Sequence, residues 1–178
     1  VRAILLLILP CLLVSAGCRR WPEWYAPPEQ RKPFTGEEPK PVFNQMFKSG
    51  DVNVDQYLVK DVALAPVGTA WRWVFKRPEF RFLINDHRGL RFFMDFAIPE
   101  QTFKQTGPVT FRIFINEKLM KKVRIGQPGQ MHLDEPVPSE LLKPYAVNNV
   151  AVEVDPVWVA PTDGAKLGFI LAGAGFVK

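Results

Sequence analysis

The chain has 178 residues, 47% hydrophobic and 23% charged, with a net charge of +5. This balance excludes an intrinsically disordered chain, and two cysteines exclude a disulfide-dense scaffold. The positive charge is mild and dispersed along the chain, so no nucleic acid partner is expected. An acidic polysaccharide or anionic headgroups suit it better.

The first element is an N-terminal segment. Arg2 precedes an apolar run from Ala3 to Val14, and the small residues Ser15, Ala16 and Gly17 lead to Cys18. A cation, an apolar stretch and a small-residue junction make the three parts of a secretory signal. The run is about 12 residues and contains Pro10, well short of the ~20 residues that span a bilayer. Ala16-Gly17-Cys18 resembles the lipobox of bacterial lipoproteins. That resemblance implies cleavage before Cys18, acylation of its thiol and N-terminus, and a lipid-anchored protein of the cell envelope. Arg19 follows the cysteine in place of the Asp that commonly marks inner-membrane retention, which favours the outer membrane where one exists. Cys11 lies inside the signal. The mature chain therefore has no thiol left for a disulfide, a metal site or a nucleophile.

Residues 18–50 read as a tether. Pro22, Pro27, Pro28, Pro33, Pro39 and Pro41 remove backbone donors and favour extended polyproline II. Trp21, Trp24 and Tyr25 either anchor at the membrane interface or pack on the folded domain.

From residue 51 to 178 the sequence alternates with the period of strands. Phe80, Phe82 and Ile84 form one buried face, as do Leu90, Phe92, Met94 and Phe96. Val109, Phe111, Ile113 and Ile115 form another, followed by Val150, Val152 and Val154, and then Leu167, Phe169 and Leu171. Asn85–Gly89, Asn116–Lys118 and Gly126–Gly129 supply the turns. Only Ser139–Lys143, between Pro138 and Pro144, reads as helical. This pattern predicts an all-β fold, an antiparallel β-sandwich, as one domain over residues 51–178. The order of strands and turns from about residue 80 to 176, with Gly107–Asn116, Pro136-Val137-Pro138, Asn148–Val154 and Leu167-Gly168-Phe169, resembles jelly-roll modules of carbohydrate-binding proteins. The resemblance implies a sugar-binding role and transfers no particular residue.

Catalytic chemistry is sparse. His87 and His132 are the only histidines, and no metal-binding spacing is present. Ser49 and Ser139 lie outside any nucleophile elbow. Asp86 with Asp95, and Asp134 with Glu135, are carboxylate pairs better read as solvated turns and strand edges. Asp155 and Asp163 are oxygen ligands of the kind calcium takes, without a diagnostic spacing. The expectation is no enzyme, no cofactor and no catalytic residue.

Aromatic residues carry the functional reading. Trp71-Arg72-Trp73 sets two indoles two residues apart, on one side of an extended segment, with Arg72 facing the other way. Trp158 sits between Pro156 and Pro161. These tryptophans are either core residues or flat platforms for sugar rings, with Arg81 and Arg91 as polar partners. Phe93 and Phe114 fall out of phase with their strands' core faces, which predicts a doubly buried sheet or an apolar binding surface. The expected function is a membrane-anchored, non-catalytic module that binds a surface glycan. The alternative is a structural lipoprotein that docks on an envelope protein complex.

Overall fold

The computed structural model describes residues 45–178. The signal, Cys18 and the Pro-rich tract lie outside the described residues. Eleven strands run in chain order: β1 (Met46–Lys48), β2 (Leu58–Val62), β3 (Arg72–Ile84), β4 (Arg91–Ile98), β5 (Val109–Ile115), β6 (Lys118–Ile125), β7 (Gly129–Pro136), β8 (Ala146–Asp155), β9 (Trp158–Val159), β10 (Lys166–Leu167) and β11 (Ile170–Val177). One α-helix, α1 (Glu100–Thr106), follows β4, and short 3-10 turns occupy Val54–Gln56 and Ser139–Leu141. No helix among the described residues is long and apolar enough to cross a membrane.

The strands form an all-β, antiparallel sandwich. Hydrogen bonding runs β6-β5-β8-β3-β11-β4-β7, with β1 beside β11 and β2 beside β3. The path curls into two layers: β1, β11, β4 and β7 in the first, and β2, β3, β8, β5 and β6 in the second. They join where Arg72 and Trp73 of β3 pair with Leu171 and Ile170 of β11.

The alternation read from the sequence marks the inner faces. Val109, Phe111, Ile113 and Ile115 are buried, and so are Phe92, Met94 and Phe96 facing them from the other layer. Rings bridge the layers: Phe96 lies 5.1 Å from Phe111, and Phe82 lies 5.3 Å from Phe176, edge to face. Burying such side chains contributes about 1.5–3 kcal/mol each, and favourable ring geometry adds about 0.5–1.5 kcal/mol per pair. Arg72 turns inward, as its position between two tryptophans predicts. Its side chain is buried 3.2 Å from the Asp55 carboxylate.

Three features depart from the sequence reading. β1 belongs to the folded unit although the tether was placed through residue 50. Three residues are too few to show a period, yet Phe47 is buried against Tyr57, Phe80 and Phe82. Ser139–Lys143, expected to make one helical turn or two, makes a single 3-10 turn over Ser139–Leu141 as its flanking prolines dictate, so only its turn type is new. The true helix, α1, was missed because seven residues with one large apolar side chain, Phe103, carry no helical repeat.

The turns follow their chemistry. Asn116 and Glu117 both have positive φ, 49° and 66°, as a two-residue hairpin between β5 and β6 requires. In the β3–β4 turn, Lys178 donates to the Asp86 carboxylate at 2.9 Å, and the Arg88 N–H donates at 3.1 Å. The Lys178 bond and then the Arg88 bond hold the Asp86 carboxyl at about 2, below the ordinary 3.8. The depressed value means that this tie to the end of β11 persists until the pH falls toward about 2.

Two substitutions test this packing. Phe111→Ala is expected to cost about 3–5 kcal/mol in denaturant unfolding, and a loss below about 0.5 kcal/mol would mean that the strand faces are misassigned. At Gly175, an added Cβ would stand 2.4 Å from Met46 Cβ and 2.5 Å from its Cα. Gly175→Ala must displace β1 and is expected to destabilise by about 1–3 kcal/mol. Gly126→Ala, where a Cβ meets nothing within 4 Å, is the near-neutral control.

Candidate functional site

The outer face of the first layer is a trough. Its lining follows from register. On β4, Arg91, Phe93, Asp95 and Ala97 alternate with the core residues and point outward. On β7, Asp134 stands opposite Phe93, His132 opposite Asp95, and Gln130 opposite Ala97. On the other side of β4, Gly175 stands opposite Phe93 and Gly173 opposite Asp95. Beyond these glycines come Met46 and Lys48 of β1. In β11 the two successive outward positions Gly173 and Gly175 carry no side chain, and this stretch forms the floor between β1 and β4.

Two concavities on this face share Asp95 and His132. The larger, about 770 Å³, is lined by Trp71, Asp95, Ala97, Gln130, His132 and Ile170, among others. The smaller, about 300 Å³, is lined by Met46, Lys48, Phe93, Asp95, His132 and Asp134, among others.

The middle of the trough is held rigidly. His132 Nδ1 lies 2.6 Å from Asp95 Oδ1. A carboxylate only accepts, so Nδ1 donates and Nε2 is the ring's remaining polar atom. Phe93 stacks on the imidazole, with centroids 6.0 Å apart and planes 18° from parallel. Arg91 Nε donates to Asp134 Oδ1 at 2.8 Å beside the smaller concavity. The wall therefore presents aromatic surface, carboxylate oxygens and an imidazole edge side by side.

The residues singled out by sequence divide among three places. Trp71 precedes β3, is 50% exposed and lines the larger concavity. Trp73 is half-buried on β3, opposite Ile170 of the trough. It stacks with Trp158 of the β9–β10 hairpin, centroids 6.5 Å apart at 24°, and the Trp158 indole N–H donates to Gln105 Oε1 of α1 at 2.8 Å. Arg91 stands beyond the far end, registered one step past Phe93. Arg81 belongs to the second layer, opposite Asn149 of β8, with its Nε donating to the Gln56 carbonyl. Of these residues Trp71 alone lines a concavity, Arg91 flanks the smaller one through its pair with Asp134, Trp73 and Trp158 stack on each other, and Arg81 belongs to the other layer. Of the out-of-phase phenylalanines, Phe93 lines the trough, and Phe114 is capped by the Arg77 guanidinium at 5.2 Å.

Sequence reasoning missed the Asp95–His132 pair. Both residues lie in alternating runs, but only the β4–β7 register joins them across 37 positions. The carboxylates considered as catalytic pairs are apart or differently engaged. Asp86 is bound by Lys178 in a turn while Asp95 holds His132. Asp134 pairs with Arg91, and its neighbour Glu135 pairs with Lys121. Ser49 is buried, and its hydroxyl donates to the Leu171 carbonyl at 2.9 Å. Among the described residues, no group of three or more His, Cys, Asp or Glu side chains is placed to hold a metal ion.

No family model and no curated protein matches the sequence. Solved structures similar to the chain include a family 35 carbohydrate binding module from an environmental isolate: 10% identity, 75% of this chain, 92% of that one, TM-score 0.44. A family 35 module from Clostridium thermocellum gives 10%, 75%, 96% and 0.44. An exo-beta-1,3-galactanase from Phanerochaete chrysosporium gives 6% identity and a TM-score of 0.43 over 76% of this chain, which spans 29% of the galactanase.

Proposed function

We propose that the sandwich is a non-catalytic binding module and that a glycan chain lies along the trough between Trp71 and Asp134. The observation that carries this reading is a half-exposed indole bordering the same concavity as a fixed Asp95–His132 pair. A pyranose presents an apolar face that stacks on an indole and equatorial hydroxyls that need donors and acceptors beside it. Trp71 supplies the first, and Asp95, His132 and Gln130 supply the second.

We further propose that the module is lipid-anchored in the cell envelope through Cys18, as the lipobox resemblance implies, with the outer membrane favoured. A second reading, docking on an envelope protein, draws on the loop before β3. Residues 63–71 carry no charge, and Leu64 is 96% and Val67 68% exposed. Large contiguous apolar exposure of this kind marks interaction surfaces.

Two predictions follow from these assignments. In calorimetry against neutral and acidic polysaccharides, binding is expected in the range of about 10⁻³ to 10⁻⁶ M. Trp71→Ala should weaken it about tenfold or more, as loss of a stacked aromatic surface requires. Undiminished binding by a folded Trp71→Ala protein would move the site elsewhere, and a stoichiometric envelope protein recovered with no glycan bound would favour docking. Separately, Cys18→Ala should abolish incorporation of a fatty-acid analogue and release the protein from the membrane fraction. Equal labelling of parent and variant would refute the anchor.

A further inference from the structure

The cations that look dispersed along the sequence are not dispersed in space. β6 carries Lys118, Lys121, Lys122 and Arg124 in eight residues without one acidic side chain. Lys121 is paired with Glu135 of β7 at 3.2 Å, which ties the two layers at that edge. Lys118, Lys122 and Arg124 are exposed and have no ion-pair partner among the described residues. Register places Lys122 opposite Arg112 and Arg124 opposite Thr110 of β5. Lys122 and Arg124 therefore stand on the outer face of the second layer, beside Arg112.

Other cations of that layer are matched with carboxylates. Arg112 is paired with Glu153 at 2.9 Å, Arg77 with Glu117 at 2.7 Å, and Lys60 with Glu79 at 3.0 Å. Among the described residues, Lys122 and Arg124 thus stand unpaired on β6 beside an Arg112 that is already matched by Glu153. Lysines on an edge strand discourage edge-to-edge pairing, but that accounts for charge along the edge and not for a row shared with β5 on the sheet face.

We propose that this β5–β6 face rests on an anionic bilayer surface through Lys122 and Arg124, with the trough on the opposite layer turned away from it. Three observations favour headgroups over an acidic polysaccharide. The cations lie on a sheet face, whereas the two concavities that suit a single chain are on the other layer. The aromatic ring nearest the row, Phe114 opposite Leu119, is covered by Arg77, so a sugar has no platform there. Leu119, 54% exposed, lies in the same strand, where it can enter the headgroup layer.

The test is partition of the full chain between buffer and vesicles, either zwitterionic phosphatidylcholine or the same lipid with about one-third phosphatidylglycerol. The ratio of the two partition coefficients removes any contribution that does not depend on lipid charge. Each cation near an anionic surface is worth about fivefold. The double variant Lys122→Gln, Arg124→Gln should therefore lower the ratio by about 25-fold at low salt, with an unchanged melting temperature. The parent's preference should collapse at high salt, where screening shortens to about 3 Å. Lys166→Gln, an exposed charge on β10, should change the ratio less than about twofold. A double variant that keeps the parental ratio overturns the proposal. So does one that loses binding to a soluble acidic polysaccharide while its vesicle ratio stays unchanged.

Discussion

A Cβ at Gly175 would lie 2.4 Å from the Cβ of Met46, and one at Gly173 would lie 2.9 Å from the Phe47 carbonyl oxygen. That steric limit sets how β1 approaches β11, and two results follow from it. On the inner side, Leu171, Ala174 and Phe176 of β11 are buried, and Phe47 of β1 closes on the same core. On the outer side, the strand between β1 and β4 carries hydrogen at two successive outward positions. The trough and the close seat of β1 are thus two consequences of one choice. Glycine in a strand ordinarily weakens it, for lack of a side chain to pack and because of its greater entropy loss. β11 offsets that cost by pairing along both edges, with β4 on one side and with β3 and then β1 on the other.

The two layers treat their outer faces differently. The β3-β8-β5 face is closed by ion pairs, the Arg77 cap over Phe114 and the Asn149 amide donating to Glu79 at 3.1 Å. Such exposed pairs contribute little stability, about 0–1 kcal/mol each. They do match Arg77, Arg112 and Lys60 with carboxylates, and they leave Lys122 and Arg124 of β6 unpaired among the described residues. The β4–β7 face keeps an apolar floor, aromatic walls and polar atoms directed at a common space. A sandwich needs only its inner faces for folding, so the contrast belongs to the outer-facing residues, which the core does not constrain.

The parts of this arrangement visible in the sequence were those with a period. β4, β5 and β8 showed their buried faces by alternation, because each is long enough to repeat and each faces a single core. β1, β9 and β10 have two or three residues and no period to read. The spacing of Trp71 and Trp73 puts them on one side of an extended segment, as core residues or as one platform. β3 begins at Arg72, so Trp73 is held by the sheet and by Trp158, and Trp71 stands outside the strand. The trough was not legible because no segment contains it. It arises from four strands in a particular register, and a one-residue slip of β7 would turn His132 and Asp134 into the core. The out-of-phase Phe93 was the one local trace of an aromatic outer face.

Rigidity is distributed unevenly along the trough, and this bears on how a ligand lying in it would be held. In the middle, His132 is engaged by its bond to Asp95 and by stacking on Phe93, so part of its side-chain freedom is already given up before binding. Freezing a mobile side chain costs about 0.5–1.5 kcal/mol. Pre-formed polar groups therefore return most of their interaction as selectivity for hydroxyl placement. At the other end, Trp71 follows an uncharged loop and is half-exposed. It offers the larger contact area with the least prior constraint. On the proposed reading, contact energy enters chiefly at Trp71 and discrimination chiefly at Asp95 and His132. The two are separable because they sit on different elements: a loop that tolerates change, and a β4–β7 ladder that does not.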